Sequence, residues 1–265
     1  MNNLFKTSLC FVFAVLSSSA FSSSAVMNNI QNHLWPVERH NGYDVIIVPY
    51  KIDGSFSSTD LQTIEDSLED LQSKISIQFK SYNPTIHNDY VSITNNYEGC
   101  YSFVGKQNGV TTLNLESGIT RSCVTTPVIQ HEIMHTLGFH HENQRANRDS
   151  HVSINFANLA PGMESLFDKT LGINDLSLPY DYDSITHLSR NAFARDNSYD
   201  TITTLLPQYQ STIGHQPSVS DLDILAVHLL YGVQQPSPES EANSPCNPMN
   251  PVSVYCDSTT GAEEW

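Results

Sequence analysis

HEIMHTLGFHHE, residues 131–142, is the stretch on which the reading of this chain turns. It sets His131, Glu132, His135, Gly138 and His141 in the order His-Glu-x-x-His-x-x-Gly-x-x-His. On a helix, residues four apart lie one turn apart on the same face, so the His131 and His135 imidazoles can grip one small ion. Glycine adopts the left-handed cap conformation without a Cβ penalty, so Gly138 ends the helix and lets the chain turn. His141 then swings back as a third ligand. His140 competes on composition alone; the spacing from Gly138 selects His141. Three neutral nitrogens leave a fourth position of zinc open, the layout of a catalytic site rather than a closed structural one. Glu132 is not needed as a ligand and stands where it can take a proton from a water on the ion. The expectation is one Zn2+ per chain, held by His131, His135 and His141, with Glu132 as the base.

The chain has 265 residues, with 12 Lys+Arg against 28 Asp+Glu and a formal net charge of −16. Its length suits one or two domains with a substantial core. So acidic a protein is a poor partner for nucleic acid or an anionic membrane surface. At the start, Lys6 precedes a short apolar run from Leu9 to Leu16. A Ser/Ala-rich stretch follows, with Ser23 and Ala25 at small-residue cleavage spacing and Ser18 and Ala20 as a second choice. Residues 1–25 therefore read as a secretory signal, its apolar core too short to span a bilayer. The expectation is a secreted monomer, extracellular or periplasmic, with no membrane anchor, folding in an oxidising compartment. Cys10 falls within the signal, leaving Cys100, Cys123, Cys246 and Cys256. Four cysteines permit three pairings, of which the local one joins Cys100 to Cys123 and Cys246 to Cys256.

Elsewhere the periodicities are short. Val45 to Val48, closed by Pro49, form a buried-strand run within Asp44 to Tyr50. Thr59, with Gln62 three residues on, fits a capping box ahead of a helix whose Leu61, Ile64, Leu68 and Leu71 recur at helical spacing. Ile75, Ile77 and Phe79 alternate with polar residues as a half-buried strand does. Tyr90–Thr94, Tyr101–Val104 and Thr111–Leu115 are further strand candidates, and Pro127 suits the first turn of the histidine helix. Residues 142–215, rich in Asn, Asp, Ser and Pro clusters, read as largely irregular. A last helix runs from Asp221 to Tyr231, capped by Ser220 and stopped by Gly232. Residues 233–265 read as a flexible Pro/Ser-rich acidic tail. The predicted organisation is a signal over 1–25, one catalytic domain over 26–232 and that tail. The domain divides into an N-lobe of about 34–141 and a C-lobe of about 142–232, with a metal-exposing cleft between them.

The glycine and third histidine extend the zinc motif to the metzincin signature. The sequence resembles the astacin family of zinc metalloendopeptidases from about Leu34 to Tyr231. GFHHENQRANRD, residues 138–149, is similar to the astacin extension GFxHExxRxDRD. Gly99 to Gly105, Tyr180 to Ile185, His187, Ala192-Phe193, Thr201-Ile202, Ile213-Gly214 and Ser220 to Tyr231 also match. The resemblance implies an α+β, metzincin zincin-like fold. Its N-terminal lobe would carry a twisted five-stranded sheet and two long helices, and its largely irregular C-terminal lobe would end in a helix. It also implies a polypeptide substrate added as an extended strand along an edge near Tyr101, Ser102 and Phe103. It implies a Cys100–Cys123 disulfide, and a Glu142 that either helps hold the mature N-terminus or is a surface glutamate. His187 reads as a hydrogen-bonding residue of its turn rather than a fourth ligand.

The departures from the family are specific. Ser184-Ile185-Thr186-His187-Leu188 stands where family members carry Ser-Ile-Met-His-Tyr. Thr186 replaces the methionine floor beneath the metal, and Leu188 replaces a tyrosine that can stabilise the tetrahedral intermediate. His215-Gln216 stands in place of Gln-Arg, so Gln216 brings no positive charge to the pocket just after the scissile bond. Ser76 occupies one end of a second family disulfide, whose partner is also missing. Only about eight residues separate a cut after Ala25 from Leu34, which leaves no room for an inhibitory pro-segment. The reading is a secreted zinc endopeptidase of reduced turnover. Its rival is a catalytically impaired, astacin-like zinc- or peptide-binding protein.

Overall fold

The β-branched run Val45 to Val48 lies in the longest strand, and the other elements of the first lobe are arranged around it. The structure, a computed structural model, describes residues 30–40, 42–170 and 176–234. The signal, residues 235–265 of the tail and the Cys246–Cys256 pair lie outside the described residues; at the tail's expected start Val233 is buried in the core of the first lobe and Gln234 accepts from Ser76, so the first two of its residues are held rather than flexible. Strand β1 is Val37–His40, β2 Tyr43–Ile52, β3 Ile77–Ser81, β4 Tyr90–Thr94, β5 Cys100–Ser102 and β6 Val110–Leu115. Helix α1 is Ser58–Lys74 and α2, which carries the histidines, is Thr126–Thr136.

The five strands that the resemblance implied lie in the order β3-β2-β4-β6-β5. β1 adds a sixth, pairing antiparallel with the first half of β2. The β2–β3, β2–β4 and β4–β6 pairs are parallel, while β5 runs antiparallel to β6 at the sheet's edge. Phe103 and Val104, expected in β5, fall outside the ladder, and Phe103 is exposed.

Helix α1 is 17 residues long and buries Ile64, Ser67, Leu68 and Leu71. Its cap is Ser57, not Thr59: Ser57 has an extended backbone and its Oγ accepts from the Asp60 amide at 3.1 Å. Ser57-x-x-Asp60 has the same spacing as Thr59-x-x-Gln62, and Gln62 instead binds Asp66 along the helix. Against α1 lies α2, 11 residues with Pro127 in its first turn and every residue from Ile129 to Thr136 buried. The Asp70 carboxylate of α1 accepts from Gln130 Nε2 and Lys74 Nζ, each at 2.6 Å. Gln130 Oε1 in turn accepts the Val219 amide at 3.1 Å, so one buried amide ties both helices to the approach to the last helix. Trp35, almost fully buried, donates from Nε1 to the Thr136 carbonyl and holds the incoming chain on the end of α2.

The second lobe is irregular in secondary structure but not in packing. It contains single 3-10 turns and a two-stranded antiparallel ribbon of β7 (Val152–Ile154) and β8 (Ile202–Thr204). Val152, Leu159, Phe167, Tyr180, Tyr182, Leu188, Phe193, Ile202 and Ile213 form a core separate from that of the first lobe. Neither period 2 nor period 3.6 connects these residues, so no pattern announced them. The final helix, α3 (Asp221–Tyr231), begins with a full Ser220–Asp223 capping box and ends at Gly232 with φ 67°.

Hydrogen bonds stand where the resemblance expects the second disulfide. The Ser76 amide donates to His228 Nε2 at 3.3 Å and Ser76 Oγ donates to the Gln234 carbonyl at 3.0 Å. A backbone N–H can only donate, so His228 must be neutral, and burial lowers its pKa. A histidine whose folded pKa is depressed stabilises fully above its unfolded pKa of about 6.5, and that stability is lost as pH falls below it. His228→Gln keeps an acceptor that does not titrate. Denaturation of both proteins at pH 7.5 and 5.5 is expected to show a smaller loss on acidification for the variant.

Candidate metal centre

Helix α2 places His131 and His135 one turn apart, and Gly138 makes the reversal that returns the third ring. Gly138 has φ 105°, a conformation that a side chain strains, and its amide bonds the His135 carbonyl at 2.9 Å. His131, His135 and His141 are brought together, one nitrogen of each within 4.8 Å of the others. His131 Nε2 lies 3.0 Å from His135 Nε2 and 3.3 Å from His141 Nε2.

The Nε2 atoms of His131 and His135 do not hydrogen-bond each other. His131 Nδ1 donates to the Ile185 carbonyl at 2.8 Å and His135 Nδ1 to the Phe139 carbonyl at 2.7 Å. A neutral imidazole carries one N–H, so both Nε2 atoms present bare lone pairs. Burial, together with the neighbouring rings, lowers the pKa of His135 and His141 well below the ordinary value; burial lowers that of His131. The two converging lone pairs of His131 and His135 repel unless a cation lies between them, and His141 Nε2 brings a third nitrogen to the same place. Zn–N bonds of about 2.0–2.1 Å at tetrahedral angles put neighbouring nitrogens about 3.3 Å apart. The donors, their neutrality and their spacing all fit zinc.

Glu132, next along the helix, is fully buried, and neither carboxylate oxygen has a hydrogen-bond partner. Burial pushes its pKa up to about 8; the Ser102 amide, facing it from outside hydrogen-bonding reach, pulls weakly the other way. An unpaired buried carboxylate costs free energy, so its position calls for a proton or a partner from outside the chain. Ser102 lies on the edge strand β5 between the half-buried Tyr101 and the exposed Phe103. Glu132 and the edge expected to bind substrate therefore lie near each other.

The second lobe supplies the support. Asp223 Oδ1 accepts from Ser184 Oγ at 2.7 Å, and its Oδ2 accepts from the Ile185 amide at 2.8 Å and the Ser220 amide at 2.9 Å. Ile185 thus accepts a hydrogen bond from His131 at its carbonyl and donates one to Asp223 from its amide. Burial raises the Asp223 pKa to about 6. In the sequence Asp223 reads only as part of a cap, and no spacing connects it with Ile185. Thr186 sits in the turn with its hydroxyl 2.9 Å from Ser184 Oγ, so it offers no apolar floor. Leu188 packs in the core of the second lobe. His187 is buried with Nδ1 on the Leu188 carbonyl and Nε2 on the Tyr180 hydroxyl, each at 2.7 Å, and stands outside the metal cluster. Glu142 is not a surface residue: Oε1 accepts from Arg145 at 2.9 Å and from the Asp181 amide at 2.8 Å. Gln216 lies in the other lobe from β5, bonded to Asp183. Cys100 and Cys123 are joined in a disulfide.

The model of the Astacin peptidase family matches residues 37–232. Zinc metalloproteinase nas-6 of Caenorhabditis elegans is 37% identical over 187 residues, covering 70% of this chain and 52% of that protein. High choriolytic enzyme 1 of Oryzias latipes is 35% identical over 187 residues, covering 71% and 66%. The solved structure of that hatching enzyme zinc-protease superposes with a TM-score of 0.69 at 33% identity, covering 77% of this chain and 96% of that one. The chain thus spans about half to two thirds of the length of these curated relatives.

Removing the carboxylate that fixes Ile185 tests the support of the site. Asp223→Ala is expected to weaken zinc binding by about 10- to 100-fold in a chelator competition titration. Asp223→Asn, which still accepts from the two amides, is expected to lose less.

Proposed function

The chain belongs to the astacin family, and from that premise we propose that it is an exported zinc endopeptidase hydrolysing extended polypeptides. The observation that carries the reading is Glu132: a buried, unpartnered carboxylate beside three neutral, converging imidazoles. Zinc held by His131, His135 and His141 would supply Lewis acidity, polarising the scissile carbonyl and acidifying a water. Glu132 takes the proton of that water and passes it to the departing amide nitrogen. The edge of β5, through Tyr101, Ser102 and Phe103, holds the substrate backbone as an added strand. Main-chain pairing of this kind reads little sequence, so it suits a protease acting on unfolded or extended segments.

The domain boundaries proposed are a signal over 1–25, the peptidase domain over 26–232 and a tail over 233–265. No helix among the described residues is long and apolar enough to cross a membrane. The zinc-loaded chain is expected to cleave an unfolded protein and to lose that activity in chelator. Glu132→Ala should retain zinc and lose cleavage by several orders of magnitude. Equal cleavage by this variant would remove Glu132 from the mechanism.

The buried Leu188 and the polar Thr186 favour the second reading, a zinc- or peptide-binding protein with little turnover. Position 188 has no phenol to donate toward the developing oxyanion, and such a donor contributes about 10²–10³ in kcat where present. Leu188→Tyr is expected to raise kcat about tenfold or more, at a cost of about 1–3 kcal/mol from overfilling the core. An unchanged kcat with zinc retained would show that this position does not limit turnover. No cleavage by wild type or Leu188→Tyr, with peptide still bound, would establish the second reading.

A further inference from the structure

We propose that the outward face of helix α3 is a docking surface for the chain's own C-terminal segment Met249–Tyr255, which folds back over it.

From Leu222 to Leu230 the helix carries only two polar side chains, Asp223 and His228. Both point into the molecule: Asp223 accepts from Ser184 and the Ile185 amide, and His228 Nε2 accepts from the Ser76 amide. Val227 is buried in the core of the first lobe, Ile224 and Tyr231 pack against that core, and Leu230 lies beside Gly138. These residues make up the inner face. On the other side stand Leu222, Leu225, Ala226 and Leu229, at the i, i+3, i+4, i+7 spacing of a single helical stripe. Leu225 is 42% exposed and Leu229 49%, with Leu222 and Ala226 partly exposed. A surface helix ordinarily presents charged or polar residues outward, and a helix apolar all round is ordinarily buried. The outward stripe of α3 is therefore a face that lacks its cover.

The root, reach and chemistry of the C-terminal segment fit it to that stripe. The Gln234 carbonyl and the His228 imidazole both bond to Ser76, so the chain leaves the described fold beside the helix, at the residue next to Leu229. It then continues from 235 to 265. The 11-residue helix is about 16 Å long. A coil with the length of residues 235–248 spans about 20 Å, which brings the residues after it to the stripe. Those residues read Met-Asn-Pro-Val-Ser-Val-Tyr, apolar at Met249, Val252, Val254 and Tyr255 and without charge. On either side lie Glu239, Glu241 and Asp257, which a protein of net charge −16 repels. The local pairing of Cys246 with Cys256 would close a loop around the segment and lower the cost of ordering it.

Size argues against a second copy as the cover. A single helix face of this length offers at most a few hundred Å², well short of the roughly 800 Å² per partner of a stable interface. A tethered segment needs far less area, because its linker holds it at an effective concentration in the millimolar range. The docked segment also backs the helix whose Asp223 holds Ile185.

The test is hydroxyl-radical footprinting of the zinc-loaded full chain, read by peptide mass spectrometry, which labels side chains according to their contact with solvent. A contact of about 0.1 mM affinity under a millimolar effective concentration is closed about nine-tenths of the time. Val252→Asp with Val254→Asp is therefore expected to raise the labelling of Leu225 and Leu229 by about fivefold or more. Leu225→Glu with Leu229→Glu is expected to raise the labelling of Met249 to a similar extent. Zinc content and circular dichroism establish that each variant is folded, and should the helix variant misfold, the tail variant decides alone. Labelling of either partner that the other's variant leaves unchanged overturns the proposal. So does protection of Leu225 and Leu229 that disappears on dilution, which assigns the face to a second copy.

Discussion

The hydrogen bond from His131 Nδ1 to the Ile185 carbonyl is the constraint on which the site depends. It joins a helix of the first lobe to a turn of the second and decides the histidine's tautomer. Once Nδ1 carries the proton, Nε2 can only offer a lone pair. The same device operates on His135 through the Phe139 carbonyl. Two backbone carbonyls thereby convert histidines that could have hydrogen-bonded to one another into a ligand set that requires a cation.

The carbonyl acceptors are themselves held. Phe139 follows Gly138, whose positive φ sets the direction of the reversal. Ile185 is held by Asp223, at the start of the last helix, and that helix is tied back to the first lobe through Ser76, His228 and Gln234. Orientation of one ring nitrogen is thus linked through successive hydrogen bonds to the end of the described chain. This is why a loosely patterned second lobe does not imply a loosely held metal. Its rigidity comes from its own small core and from specific polar contacts, not from regular ladders.

The elements around the histidine group are divided between the lobes. The first lobe carries Glu132, the three histidines and the edge strand β5. The second supplies the turn under the metal and the apolar Leu188 in place of a phenol.

The three-histidine group, the buried Glu132 beside it, the helix that bears them and the terminal helix were legible in the sequence, because each rests on local spacing. One helical turn, one glycine and one capping pair are short-range facts that the chain states outright. The strand runs were legible too, apart from β1 and the short ribbon β7–β8, whose three- and four-residue lengths carry no measurable alternation. What only the tertiary structure decided are the contacts made across long separations: Ile185 on His131, Asp223 on Ile185, the Ser102 amide opposite Glu132, and Gln216 on Asp183. Each involves a backbone group or an unremarkable polar residue whose role comes from its position in space. No periodicity encodes such a meeting, because the partners lie 30 to 54 residues apart in the chain and find one another only when the chain folds; of the four contacts, Ile185 on His131 is the one that joins the two lobes.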